Sequence, residues 1–167
     1  MEKPKKNKQY MMYLEQSLLA VKPQYHAYRD GMNAVYTIEG DMMRHRFSVR
    51  QGEHEVLVLH KKFAKLFAEY TIEKDGQEIA HIKKGLFRSL SGNVYDKSLE
   101  IRVAYESYNF DILVGGHKLC RIEAKSAGFC DRYEMMIFDS TLEEVAVALA
   151  VICDHVSNKA DSTRYND

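Results

Sequence analysis

The segment Arg44-His45-Arg46-Phe47-Ser48-Val49-Arg50 contains the side chains best suited by type and spacing to binding a ligand. Alternate side chains of a β-strand point to the same side, so a strand here places Arg44, Arg46, Ser48 and Arg50 on one face. Guanidinium groups bind phosphate oxygens through paired hydrogen bonds, which makes this row a candidate anion site. The same row is also typical of a solvated sheet face whose arginines pair with Glu or Asp on neighbouring strands.

Two lysine-rich groups near the ends of predicted strands extend the candidate site. They join the arginine row in one basic patch if the strands bring their ends together. Lysines that protect exposed strand edges explain these groups as well. The candidate anion or headgroup site comprises Arg44, Arg46, Arg50, Lys61, Lys62, Lys83, Lys84 and Arg88.

Residue types used in catalytic and metal centres are present, but their spacing does not match such sites. Of the seven His residues, none is paired with another His or with Cys at metal-ligand spacing, so we predict no metal site and no cofactor. The run Cys153-Asp154-His155 has the residue types of a nucleophilic triad. Consecutive residues of a helix point about 100° apart, however, so these three cannot converge on one atom. We therefore predict no catalytic residue and no enzyme activity.

Length and composition are typical of a single globular domain. The chain has 167 residues, and its 24 basic Lys and Arg residues equal its 24 acidic Asp and Glu residues. A net charge of zero provides no overall field toward nucleic acid, and no nucleic-acid partner is expected. Three cysteines without a C-x-x-C motif favour reduced thiols in the cytoplasm. No apolar stretch is long enough for a transmembrane segment.

Short strand-like runs are separated by turn dipeptides that end in glycine. Glycine adopts the positive φ that two-residue hairpin turns require. The runs alternate apolar and polar residues, as an antiparallel sheet with one solvated face does. About ten strands are predicted, with residues 11–20 favoured as strand over short helix, and a helical turn within residues 61–70. The four turns are Asp30-Gly31, Gln51-Gly52, Asp75-Gly76 and Gly115-Gly116.

The pattern near the C-terminus predicts one helix that organises the fold. Ser140 with Glu143, or Thr141 with Glu144, is a capping box. No side chain from 145 to 153 is polar, so the helix has no polar face and must be surrounded by protein. A long antiparallel sheet removes its exposed edges by closing, and its interior must then be filled. The prediction is a mainly β fold, a closed antiparallel β-barrel of repeated hairpins wrapped around a central apolar helix.

Four segments of the chain match the pattern of one known family. They are Lys22-Pro23-Gln24-Tyr25, Val35-Tyr36-Thr37-Ile38-Glu39-Gly40, residues 69–84 and Asp131-Arg132-Tyr133-Glu134. These segments resemble the LURP-one-related proteins, whose fold is related to the tubby C-terminal domain and the phospholipid scramblases. The resemblance implies a closed barrel threaded by the C-terminal helix. In tubby domains, basic side chains outside the barrel bind phosphoinositide headgroups, but none of those ligands is matched to a position here.

These observations predict a basic flexible tail at residues 1–9, one barrel domain at 10–157 with its helix at about 140–157, and a polar tail at 158–167. The predicted function is a non-enzymatic cytoplasmic binding or scaffold domain, peripheral at a membrane, that binds anionic phospholipid headgroups or other phosphates outside the barrel. A carrier barrel for an apolar small molecule is an alternative that requires an empty interior. An enzyme whose catalytic groups meet only in space is a further alternative.

Overall fold

In the part of the chain that the structure describes, the fold is a sheet of twelve antiparallel strands followed by one α-helix. The computed structural model describes residues 8–17, 20–29, 33–63, 67–85, 89–104, 109–127 and 130–162. Within these residues the strands are β1 (Tyr10–Gln16), β2 (Gln24–Tyr28), β3 (Ala34–Gly40), β4 (Arg46–Gln51), β5 (His54–Phe63), β6 (Ala68–Lys74), β7 (Gln77–Lys84), β8 (Leu90–Val94), β9 (Lys97–Ala104), β10 (Asn109–Val114), β11 (His117–Ala127) and β12 (Cys130–Ile137). The helix is α1 (Glu143–Ser162).

Pairing of β1 with β12 closes the sheet into a barrel. Every other pair joins strands that are consecutive in the chain. The closing pair is antiparallel and runs from Tyr10 opposite Ile137 to Glu15 opposite Arg132. Closure pairs the backbone groups that an open sheet edge would expose to other chains. The predicted closed antiparallel barrel is confirmed, and residues 11–16 form a strand as favoured.

Three of the four predicted glycine turns join consecutive strands. Their glycines have the expected left-handed backbone, with φ of 61° at Gly52, 75° at Gly76 and 78° at Gly116. The predicted turn at residues 30–31 lies outside the described residues, as does the part of segment 61–70 between β5 and β6 where a helical turn was predicted. Strand β8 was not predicted, because its turn to β9 adopts positive φ at Tyr95 and Asp96, without glycine.

A short 3-10 turn, Ser140–Leu142, leads into α1. Asp139 caps this turn, since its Oδ1 accepts hydrogen bonds from the N–H of Thr141 at 3.0 Å and from the hydroxyl of Thr141 at 2.6 Å. The predicted capping box is therefore wrong, because Glu143 and Glu144 bind donors on the barrel wall instead. The helix ends at Ser162 rather than near residue 157. The rest of the two predicted tails, residues 1–7 and 163–167, lies outside the described residues.

Protein surrounds α1 on all sides from Val145 to Asp154. These consecutive residues are at most 3% exposed, and together they cover the full circumference of a helix. The hydroxyls of Tyr25 in β2 and Tyr133 in β12 both donate to the Asp154 carboxylate, which is 0% exposed. The inward side chains of the strands and the helix form one continuous core. Within the described residues, no helix has the length and apolar character that a membrane span requires.

Candidate functional site

Lys62 of β5 and Lys83 of β7 lie on the outside of the barrel in one transverse row. Each is opposite Glu69 of the intervening strand β6. The row faces solvent because both lysines are exposed, whereas the preceding inward residue in β7, Ile82, is fully buried. With neighbouring strands about 4.8 Å apart, the two lysine Cα atoms are about 10 Å apart. Neither lysine forms an ion pair with another described residue, so two flexible ammonium groups can reach one phosphate between them.

The adjacent row carries Arg46, His60, Thr71 and His81, directly opposite one another on β4 to β7. Nε2 of His60 lies 3.4 Å from a carboxylate oxygen of Glu73, and Nε2 of His81 lies 3.1 Å from a carboxylate oxygen of Glu69. We call Arg46, His60, Lys62, His81 and Lys83 the outer patch. Sequence reasoning missed the two histidines, although the repeated pattern His-x-Lys at 60–62 and 81–83 places both types on one strand face.

In the arginine row predicted on β4, Arg46 and Ser48 interact with Glu55 of the next strand, β5. Arg46 Nη2 lies 3.4 Å from Oε2 of Glu55, and the hydroxyl of Ser48 donates to the same oxygen at 2.5 Å. The Ser48 hydrogen bond, with smaller contributions from the charges of Arg46 and Arg50, holds the pKa of Glu55 below its ordinary value. Arg46, Ser48 and Arg50 share one face as predicted. Glu55 makes this part of the face an ion-paired surface.

Arg44 is not part of that row. It lies in the turn between β3 and β4 with a φ of 57°, and its N–H donates to the carbonyl of Asp41 at 3.0 Å. The Asp41 carboxylate accepts the N–H of His45 at 2.7 Å. These bonds close a turn, so the strand begins at Arg46 and the predicted place of Arg44 in it is wrong.

Lys61 and Lys84 alternate with the two lysines of the outer patch and therefore point to the other side of the sheet. Lys61 lies opposite the buried Tyr70, and Lys84 lies opposite the buried Leu90. Both are near the ends of their strands, at the rim of the barrel. They do not join the outer patch, and Arg88 lies outside the described residues.

A groove of about 300 Å³ runs beside the outer patch along β4, β5 and β6. Its charged lining comprises Arg46 with the acids Glu55, Glu73 and Asp75, and His60 also lines it. Acids outnumber permanent cations in this groove, so it repels a phosphate. Among the described residues of the outer patch, an anion is therefore favoured near Lys62 and Lys83, which form no ion pair with another described residue.

The N-terminal end of α1 holds a second polar cluster, built around Glu143. Its carboxylate accepts hydrogen bonds from Arg29 Nη2 at 2.6 Å, from the Tyr36 hydroxyl at 2.7 Å and from the Tyr10 hydroxyl. Burial acts to raise the pKa of Glu143, but these hydrogen bonds outweigh it and hold the pKa below the ordinary value. The cleft here has a volume of about 450 Å³. Because its charges are mutually paired, including Lys74 with Glu144 at 3.0 Å, we interpret it as the anchor of the helix.

The residues of the rejected triad also have structural partners. Asp154 accepts hydrogen bonds from two tyrosine hydroxyls, and the ring centroids of His155 and Phe47 are 4.8 Å apart. Burial raises the pKa of the Cys153 thiol well above its ordinary value, so the nucleophilic thiolate is disfavoured. Among the described residues, no group of three or more His, Cys, Asp and Glu side chains has the arrangement of a metal site.

Comparison with known proteins gives one family match. The family model described as LURP-one-related matches residues 11–154, which includes β1 from its second residue, all of β2 to β12 and the first part of α1. No curated protein and no solved structure gives a significant match.

Proposed function

The chain belongs to the LURP-one-related family, and on this basis we propose that it is a non-enzymatic binding domain of tubby C-terminal-like fold. Its ligands are anionic phospholipid headgroups or other phosphates, held on the outside of the barrel. The location we propose is the cytoplasm, at the surface of a membrane. The observation that carries this proposal is the pair Lys62 and Lys83, two exposed cations on either side of Glu69, neither of which forms an ion pair with another residue that the structure describes.

The energy available from these lysines is sufficient for weak, salt-dependent binding. A lysine close to an anionic bilayer contributes about 1 kcal/mol, so the pair contributes about 2 kcal/mol. His60 and His81 lie in the next row, and each has a ring nitrogen beside a carboxylate, that of Glu73 at 3.4 Å and that of Glu69 at 3.1 Å. Glu69 lies between the two lysines and opposes an anion, so the lysine contribution of about 2 kcal/mol is an upper value.

A carrier of apolar molecules has less support. Its ligand would need the space inside the barrel, and the buried segment of α1 from Val145 to Asp154 occupies that space together with the inward side chains of the strands. The proposal therefore assigns ligand binding to the outer surface.

Vesicle co-sedimentation tests the proposal. The protein is mixed with vesicles of phosphatidylcholine alone, of phosphatidylcholine with phosphatidylserine, and of phosphatidylcholine with phosphatidylinositol 4-phosphate, at about 0.1 M and about 0.5 M salt. We expect binding to the anionic vesicles only, weakened at high salt. The double variant Lys62→Gln/Lys83→Gln should lower the partition coefficient about 30-fold, the equivalent of about 2 kcal/mol. The matched control is Lys118→Gln/Lys125→Gln, which removes two exposed lysines of β11 and should bind as the wild type does.

Competition separates the two sources of phosphate. Inorganic phosphate and soluble inositol phosphates are added as competitors to the vesicle-bound protein. If they displace it, and if the Lys62 and Lys83 substitutions weaken their binding as much as they weaken vesicle binding, the outer patch also binds free phosphates. Binding to neutral vesicles that equals binding to anionic ones would contradict the proposal, as would equal losses in the β11 control.

A further inference from the structure

Strands β1 and β12 carry an apolar groove on the outside of the barrel, on a different part of the wall from the outer patch. Met11 of β1 lies directly opposite Met136 of β12, and Phe138 follows on the same side of the chain. These three side chains line a groove of about 250 Å³. Methionine is a flexible, polarisable side chain that adapts to varied apolar partners. An apolar groove on an otherwise charged surface is typical of an interaction site.

Each strand has two adjacent methionines, of which one belongs to the core. Met12 and Met135 are 0% exposed and pack inside the barrel. Their neighbours Met11 and Met136 point outward and are only partly buried. The barrel therefore closes without the outer two, and their apolar character has no role in its core.

Two glutamates at one end of the groove face each other across the strands. Glu123 of β11 is in register with Glu134 of β12, and both line the groove. Like charges directly opposite each other in a sheet are destabilising. Lys125 Nζ lies 3.3 Å from Oε2 of Glu123, whereas Glu134 forms no ion pair with another described residue. A cation supplied from outside would neutralise this charge.

We propose that this groove, formed by Met11, Met136, Phe138, Glu123 and Glu134, is a docking site for a basic amphipathic segment of a partner protein. A large aliphatic or aromatic side chain of the partner fills the space between the methionines and the Phe138 ring. A neighbouring lysine or arginine of the partner pairs with Glu134. This interaction surface is separate from the phosphate-binding function proposed for the outer patch.

The charges around the groove select this occupant. Arg121 also lines the groove, but its guanidinium group is paired with Asp111. Nε of Arg121 donates to Oδ1 of Asp111 at 2.8 Å, and Nη2 donates to Oδ2 at 3.3 Å. Lys118 lies over the ring of Phe138, with its Nζ 5.8 Å from the ring centroid. The glutamate pair would repel an acidic segment or an anionic headgroup. A symmetric dimer through this groove would bring two such glutamate pairs together, which disfavours a second copy of the chain.

Methionine-methyl NMR on the intact protein tests the proposal with internal controls. The probe is a synthetic amphipathic peptide of leucine and lysine with a single tryptophan, added to protein labelled with ¹³C in its methionine methyl groups. We expect the resonances of Met11 and Met136 to shift and saturate, while those of the exposed Met42 and Met43 stay unchanged. Since the chain contains no tryptophan, a blue shift of the peptide's tryptophan emission reports burial independently.

Matched substitutions separate the apolar contact from the charge. Met136→Gln should weaken peptide binding more than fivefold, as the loss of an apolar anchor does, and Glu134→Gln about two- to fivefold. Met43→Gln, which removes an exposed methionine, and Glu100→Gln, which removes an exposed acid of β9, should leave binding unchanged. Both groove substitutions lie on the outside, so circular dichroism should show wild-type folding.

Four results would overturn the inference. The first is the absence of saturable shifts of the Met11 and Met136 resonances at peptide concentrations up to about 1 mM, which corresponds to the weakest dissociation constant that we count as specific. The second is equal binding of a peptide with glutamate in place of lysine. The third is a shift of Met11 and Met136 caused by anionic vesicles rather than by the peptide. The fourth is a dimer in sedimentation that Met136→Gln dissociates, which would assign the groove to a second copy of the chain.

Discussion

Replacing Glu143 with Gln removes one negative charge at the start of α1 and nearly preserves the side-chain shape. The Glu143 side chain is 7% exposed, and its two oxygens accept hydrogen bonds from Arg29, Tyr36 and Tyr10. A glutamine presents one acceptor and one NH₂ donor at the same place. The donor then faces hydrogen-bond donors of the barrel wall, and the guanidinium group of Arg29 loses its counter-ion.

The expected loss in the free energy of unfolding lies between the values for buried and for exposed ion pairs. Removing one partner of a buried ion pair costs about 3–5 kcal/mol, whereas an exposed pair contributes about 0–1 kcal/mol. Arg29 is 47% exposed, so solvent screens part of the interaction. We therefore expect Glu143→Gln to lower the free energy of unfolding by about 2–3 kcal/mol. For a domain of this size, that loss lowers Tm by about 4–12 °C.

The loss of stability caused by Glu143→Gln should become smaller as the pH falls. The pKa of Glu143 in the folded protein lies below the ordinary value of about 4.3. A carboxylate whose pKa is depressed by folding stabilises the protein above the ordinary pKa, and this contribution is lost as the pH falls through the folded-state pKa. The difference between wild type and Glu143→Gln should therefore be constant near neutral pH and narrow below about pH 4.

Urea unfolding followed by far-UV circular dichroism measures the difference at a series of pH values. The control is Glu100→Gln, because Glu100 also binds an arginine, Arg102, through two contacts but on the exposed surface. It should not measurably change stability. If Glu143→Gln costs no more than the control, or if its full cost persists at about pH 3, the carboxylate is not the anchor described.

Three further substitutions test other parts of the barrel by thermal unfolding. Gly92→Ala should destabilise by about 1–3 kcal/mol or more, since its Cβ would lie 1.8 Å from a backbone carbonyl oxygen of β7; the neighbouring Ser91→Ala should be near neutral. Tyr25→Phe removes a 2.6 Å hydrogen bond to the buried Asp154 and should cost about 1.5–3 kcal/mol. Ala150→Leu should cost about 1–3 kcal/mol if the interior is filled, whereas a gain in stability would indicate space beside the helix.

The barrel was predictable because its signals are local. Positive-φ glycines and period-two alternation, as at Leu99 and Ile101 inside with Glu100 and Arg102 outside, specify hairpins one at a time. Consecutive hairpins leave two edges, and closure removes them. Strand β8 was missed because Tyr95 and Asp96 form their turn without the glycine that marks such turns.

The sites were less predictable because they depend on neighbours that are distant in the chain. The row of Lys62 and Lys83 requires the register of three strands, which no short pattern contains. Glu143 was assigned to a capping box because Arg29 lies 114 positions away in the sequence. Arg44 was placed in a strand because alternation alone does not reveal that Asp41 closes a turn.

Closure through β1 and β12 has a consequence for how the chain folds during synthesis. The ten strands between them must leave the ribosome before the ring can be completed, and α1, which supplies much of the core, follows even the last strand. Until then β1 lacks its closing partner β12, and the inner face of the sheet lacks the helix that covers it. These apolar faces and unpaired edges are open to chaperones or to other chains. The long sequence separation of the closing contact also slows folding. Ribosome-bound chains that stop before Glu143 should therefore be bound by chaperones, and release of the helix should be the step that completes the native fold.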